Sequence, residues 1–176
     1  VADGTYNGGN PVQPTVTLTD DLGNTIDPKE YDVSYSDNTN AGTATVTVTD
    51  KEGGSYVLGT AGTTFTINKA AAPALTAHRV TQKYSLKTEQ TITLPDLKSL
   101  GMPDDAQVSD TNAFPSGSYS PAGRIQDGWG IDVNTGAITY ALADGAAAGD
   151  VITFTLLVRS KNYEDATVTV ILTLTE

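Results

Sequence analysis

Between Tyr31 and Asp50 the chain reads YDVSYSDNTNAGTATVTVTD, and its side chains change character at every second position. Tyr31, Val33 and Tyr35 alternate with Asp32, Ser34 and Ser36; further on, Ala44, Val46 and Val48 alternate with Thr43, Thr45, Thr47 and Thr49. A side-chain period of two belongs to the extended strand, so each apolar set is assigned to one face of a sheet and each hydroxyl set to the other. Asn38, Asn40 and Gly42 supply the turn, because Asn and Gly accept a positive φ at little steric cost. The stretch predicts a β-hairpin with one buried face, and neither strand carries a reactive group.

The same logic extends in both directions. Thr15 to Thr19 predicts a strand with Val16 and Leu18 inward, Tyr56 to Leu58 a short one, and Thr63 to Ile67 one with Phe65 and Ile67 inward. About six short strands at close turn spacing suggest a sandwich. Asn68 to Pro73, NKAAAP, has linker composition, and Pro73 interrupts any helix begun there. Beyond it, Leu75 to Tyr84 predicts an edge strand, and Gln90 to Leu97 a strand ended or bulged by Pro95. A short strand is expected near Ala106 to Asp110, before the long turn-rich loop NAFPSGSYSPAGRIQDG. Trp129 to Val133 and Ala137 to Leu142 form a hairpin around Asn134-Thr135-Gly136; Val151 to Arg159 and Ala166 to Thr175 are the two longest strands. The expected fold class is all-β: two tandem immunoglobulin-like β-sandwich domains, residues 1–69 and 70–176.

Composition agrees and excludes. Thr is the most frequent residue, and 17 Gly and 8 Pro punctuate the strands. The net charge is −11, from 10 Lys and Arg against 21 Asp and Glu, which argues against nucleic acid or anionic lipid as partners. With no Cys, disulfides and thiolate metal sites are excluded. No run reaches the length of a membrane helix, so membrane insertion is not expected. The sequence opens on Val1 in mid-pattern, as a piece of a longer or processed chain would.

The first half resembles the immunoglobulin-like repeats of large bacterial surface proteins, of the MBG-like kind. The resemblance rests on Tyr6-Asn7-Gly8, Pro14-Thr15-Val16-Thr17-Leu18, Tyr31-Asp32-Val33-Ser34-Tyr35, Asn38-Thr39-Asn40-Ala41-Gly42-Thr43-Ala44 and Phe65-Thr66-Ile67. The second half resembles cadherin-like or "putative Ig" modules through Gly130-Ile131-Asp132-Val133-Asn134-Thr135-Gly136-Ala137-Ile138. The acidic calcium motifs of true cadherins are missing, so calcium binding is not implied. What the resemblance implies is display outside the cell, on a bacterial surface or wall, with neighbouring domains of the same polypeptide as partners and no chemistry.

The residues offer little against that. His78, the sole His, stands beside Arg79 with no Cys or Gly-x-Ser-x-Gly elbow in the chain, and is read as a surface residue. Asp20-Asp21, Asp104-Asp105 and Glu164-Asp165 are adjacent pairs in turn-like segments, unlike the separated carboxylates of a glycosidase. Asp127, Asp132 and Asn134 surround the second hairpin and offer oxygen ligands to one calcium ion, but without the spacing of a calcium loop; formation of the turn is the simpler role. Lys83 and Lys87 lack a late-strand Asn for an isopeptide staple. Trp129, between Gly128 and Gly130 and next to the loop with Tyr119 and Arg124, is the one ligand-binding surface suggested by the sequence. Burial of Trp129 as an anchor of the second core is the competing and favoured role.

The sequence thus predicts a monomeric, non-enzymatic spacer segment without cofactor or metal. Two alternatives stay open. One is an adhesin module that binds a glycan or host ligand; the other is an accessory domain of an exported polysaccharide-degrading enzyme.

Overall fold

The structure, a computed structural model, describes residues 1–109 and 119–176 and groups them into two compact units. Unit 1 comprises 1–71 with 161–163, and unit 2 comprises 72–160 with 164–176. Part of the long loop, residues 110–118, lies outside the described residues. The chain is all-β, with short 3-10 turns at Pro28–Glu30 and Leu97–Leu100.

Unit 1 is built on one four-stranded sheet. Its strands are β1 (Gly4–Thr5), β2 (Tyr31–Ser36), β3 (Gly42–Asp50) and β4 (Ala61–Asn68), in the order β1-β4-β3-β2. The β2–β3 hairpin pairs Tyr35 with Val46 and Val33 with Val48, as the alternation requires. Ala44, Val46, Val48, Phe65 and Ile67 are buried, whereas the intervening threonines of β3 and β4 lie on the other face. Val33 departs from its set: it is 36% exposed, because β2 is the edge strand.

The layer facing this sheet is not a second ladder. Residues 11–18 keep the alternation, with Val12, Val16 and Leu18 half-buried, yet form no strand; only Thr19 makes an isolated bridge, to Thr25. Two tyrosines hold the middle of the segment instead. The Tyr31 hydroxyl donates to the Val16 carbonyl at 3.1 Å and the Tyr35 hydroxyl to the Pro14 carbonyl at 2.6 Å. Burial, helped by the neighbouring Tyr31, pushes the Tyr35 phenol above its ordinary value. The expected strand at Tyr56 to Leu58 is also absent: Tyr56 and Val57 are exposed, and the Leu58 and Gly59 amides donate to the Asp50 carboxylate. Side-chain groups stand in for a ladder in both places, hydroxyl donors in the first and a carboxylate acceptor in the second.

The central turn differs in detail as well. The positive φ values fall on Asp37 (55°) and Gly42 (135°), not on Asn38 or Asn40. Asn38 serves a longer-range purpose: its carbonyl accepts from Val12 N–H at 2.8 Å, and its side chain donates to Val12 O at 3.1 Å. Asn162 is buried within unit 1 and satisfied there, accepting from Ala41 N–H at 2.8 Å and donating to Asn40 at 3.0 Å.

Unit 2 is a sandwich of two sheets. The larger contains β5 (His78–Lys83), β12 (Ala166–Thr175), β11 (Val151–Arg159) and β7 (Gln107–Val108) in that order, with β8 (Tyr119–Ser120) also on β11. The smaller runs β6 (Gln90–Ile92), β10 (Ile138–Tyr140), β9 (Gly130–Ile131). The β11–β12 hairpin carries the core. Its register sets Ile152 beside Leu172, Phe154 beside Val170 and Leu156 beside Val168, all 0% exposed. Ile92, Ile138, Tyr140 and Leu142 close on them from the smaller sheet. β5 is an edge strand, as expected. Trp129 to Val133 is not one strand: only Gly130–Ile131 pairs, because Asp132 already belongs to the turn.

Val46→Asp places a carboxylate at a site 1% exposed, without a partner. Several kcal/mol are lost, comparable to the stability of a small domain. Hydrogen exchange is expected to show loss of protection across β2, β3 and β4.

Candidate functional site

Trp129 reaches its place through local backbone geometry. Gly128 turns the chain at φ 92°, a conformation costly for any side chain, and β9 begins at Gly130. The indole is half-buried. It packs on Phe154 with ring centroids 5.7 Å apart and planes at 54°, and Tyr140 meets the same ring at 5.7 Å and 53°. Trp129 therefore leans on the second core without being enclosed by it, between the two roles expected for it.

A cavity of about 310 Å³ adjoins the indole, lined also by Lys87, Glu89, Gln126, Asp127 and Tyr140. Several of its polar groups are engaged in the fold. Lys87 Nζ donates to the carbonyls of Ala143 at 2.9 Å and Ala146 at 3.2 Å, and Gln126 Nε2 donates to Leu142 O at 2.9 Å. The Tyr140 hydroxyl donates to Gln82 Oε1, and burial pushes this phenol up to about 12. Glu89 and Asp127 are exposed carboxylates at the rim.

Arg124 does not gather here. It is not among the lining residues; its Nε forms an ion pair at 2.7 Å with Asp150 Oδ2 without hydrogen-bond geometry, and that oxygen accepts from Ala147 N–H at 2.9 Å. The ion pair fixes the loop before β11, so the Arg124 charge is spent on structure. Tyr119 pairs through its backbone with Phe154 in β8, and its side chain lies outside the described residues.

The calcium candidates separate too. Asp132 Oδ1 accepts from Asn134 N–H at 2.9 Å, and this turn, with Thr135, holds the carboxyl below its ordinary value. Asn134 lines a different cavity, of about 380 Å³ beside Leu94 and Gln107, whereas Asp127 lines that of Trp129. Among the described residues no three acidic or imidazole groups stand together as metal ligands, and no helix is long and apolar enough to cross a membrane.

Each adjacent pair contains at least one carboxylate with a structural partner. Asp20 Oδ1 accepts from Leu22 N–H and Asn24 N–H, and the bonds from Asn24 hold it below the ordinary carboxylate range. Asp104 lies 2.7 Å from Lys98 Nζ, Asp105 accepts from the buried Ser160 hydroxyl at 2.9 Å, and Asp165 accepts from Arg159 Nε at 3.1 Å. His78, half-buried, pairs with Val170 in the β5–β12 ladder.

Residues 3–69 match the family described as bacterial Ig-like domain (group 3). The matched segment runs from just before β1 to just after β4, so the bacterial Ig-like pattern covers the whole sheet of unit 1. Domains of this family are typically non-catalytic and suggest a structural or surface module. No curated protein matches the chain.

Tyr140 gives unit 2 an alkaline limit. An unfolded tyrosine titrates near 10. Between pH 10 and about 12 the unfolded chain has released a proton that folded Tyr140 still holds, so stability is full below pH 10 and falls as pH rises. A loss on the order of 2 kcal/mol is expected across that range. Denaturant titrations at pH 9 and pH 11.5 should show a smaller difference for Tyr140→Phe than for the parent chain.

Proposed function

We propose that this chain is a non-enzymatic spacer segment of a bacterial cell-surface or secreted multidomain protein. Its first domain, 1–69, would be an MBG-like repeat and its second, 70–176, a cadherin-like or "putative Ig" module without calcium ligands. Neighbouring domains of the same polypeptide are its partners, and it works as a monomer.

One observation carries this reading: in each unit the first and last strands lie side by side and run parallel. β1 pairs with β4 in unit 1, and β5 pairs with β12 in unit 2. Tension transmitted through the chain pulls a first strand toward its N-terminal end and a last strand toward its C-terminal end. Parallel partners must then slide past each other, so their evenly spaced ladder bonds bear the load together. An antiparallel hairpin pulled at its open end parts one pair at a time. The first geometry suits a spacer under tension.

The glycan-binding reading is kept for one feature, the cavity where Trp129 meets Glu89 and Asp127. An aromatic surface beside hydrogen-bonding groups is the usual chemistry of a sugar site. Because the chain holds one Trp, its fluorescence reports on that cavity alone. Titration with neutral saccharides, preceded by a glycan array, is expected to leave the emission unchanged. A saturable change that Asp127→Asn abolishes would favour the adhesin.

The spacer reading is tested by direction of pull. The chain lacks Cys, so introduced thiols give unambiguous handles. Unit 2 pulled through Ala77→Cys and Glu176→Cys is loaded in shear, and through Val151→Cys and Thr173→Cys it is unzipped. The shear pair is expected to hold to a several-fold higher force in optical-tweezers records. Equal forces would remove the physical basis of the spacer.

A further inference from the structure

The two closures are unequal, and the inequality assigns an order to their failure. In unit 1, β1 contributes two paired residues, Gly4 with Ile67 and Thr5 with Asn68. In unit 2, β5 contributes six, from His78 with Val170 to Lys83 with Thr175. We propose that unit 1 is the yielding element of the chain: under tension β1 shears from β4 while the β5–β12 ladder still holds. This rests on the spacer reading and adds a graded response to it, in which unit 1 lengthens and unit 2 stays closed.

Local bonds sharpen the contrast. Beyond its two ladder pairs, β1 is held by Tyr6 N–H to Asn68 O at 2.9 Å, Thr66 N–H to Asp3 Oδ1 at 2.7 Å and Asn68 Nδ2 to Gly4 O at 3.2 Å. The last two involve exposed groups, where water competes for each partner. β5 has reinforcement of its own. Tyr84 N–H extends the ladder to Thr175 O at 2.9 Å, Val80 packs against the core, and Gln82 accepts from the buried Tyr140 hydroxyl. Sliding β5 must therefore disturb the core of unit 2 as well as six paired residues.

Close packing also makes β1 intolerant. A Cβ on Gly4 would collide with Val12 Cγ1, so β1 lies against Val12 as closely as a residue without a side chain allows. Gly4→Ala forces β1 or Val12 to shift, a lever on unit 1 alone.

The proposal makes the two units distinguishable by length. Opening residues 5–68 releases roughly 220 Å of chain and opening 78–175 roughly 340 Å, at about 3.5 Å per residue. The whole chain is held through Val1→Cys and Glu176→Cys and stretched at constant speed. The shorter release is expected first, at a force lower by a factor of about two to three, following the ladder lengths of two and six. Gly4→Ala should lower the force of the shorter release and leave the longer one unchanged. A disulfide between Thr5→Cys and Asn68→Cys, register partners on adjacent strands, should abolish the shorter release until a reductant is added.

The longer release coming first, or equal forces for the two, overturns the proposal. So does an unaltered short release in Gly4→Ala shown to be folded by hydrogen exchange. If unit 2 opens first yet still outlasts its unzipped geometry, the spacer reading stands and only the order is wrong. If shear and unzipping give equal forces, the spacer reading falls with it.

Discussion

Each unit is closed by contact between residues at the two ends of its sequence. Gly4 meets Ile67, and His78 meets Val170, across separations at which chain entropy opposes the encounter. What offsets that cost is burial: Ile67 and Val170 are 1% and 0% exposed, and each belongs to a strand whose inward side chains are already committed to the core. The first strand adds to a formed edge and completes the sheet. Parallel direction follows from topology, because the first and last strands of each unit enter the sheet heading the same way.

The two cores reach closure by different means. In unit 2 two sheets meet, and the paired inward residues of β11 and β12 form a dry face with 0% exposure along most of its length. Unit 1 has one regular sheet, and its opposing layer is extended chain hung from tyrosine hydroxyls. Tyr31 and Tyr35 each bury a ring on the sheet side and deliver a donor to a carbonyl in the opposite layer. A large apolar body with one polar tip suits that position, since a buried carbonyl without a partner is costly. Val16 then packs against both small clusters of unit 1 and ties them together.

The polar groups follow the same economy of position. Arg124, Asp150, Lys87, Asp105 and Asp132 sit where loops must be fixed, and each is engaged by a neighbour or by backbone. Among the described residues, carboxylates, an indole and open volume coincide at the Trp129 cavity.

Alternation marks where the long strands run. β2, β3, β4, β11 and β12 were legible because a period of two over six to ten residues has one structural solution. The same signal misleads at Thr15 to Thr19: half-burial also alternates along an extended segment outside any ladder, which is bonded by the isolated Thr19–Thr25 bridge, by Ile26 N–H to Leu18 O and by the tyrosine hydroxyls from β2. β1 leaves no such mark, because two residues carry no period. At the candidate site the sequence offered Trp129 and its flanking glycines but grouped Arg124 with it by proximity along the chain. Asp150 claims that guanidinium, and the cavity takes Lys87 and Glu89 from another segment. Sequence fixes which faces are apolar, since that is a local property of side chains. Partners, register and direction belong to the tertiary structure, because they arise between residues far apart in the chain, where only the packed fold selects one pairing among many.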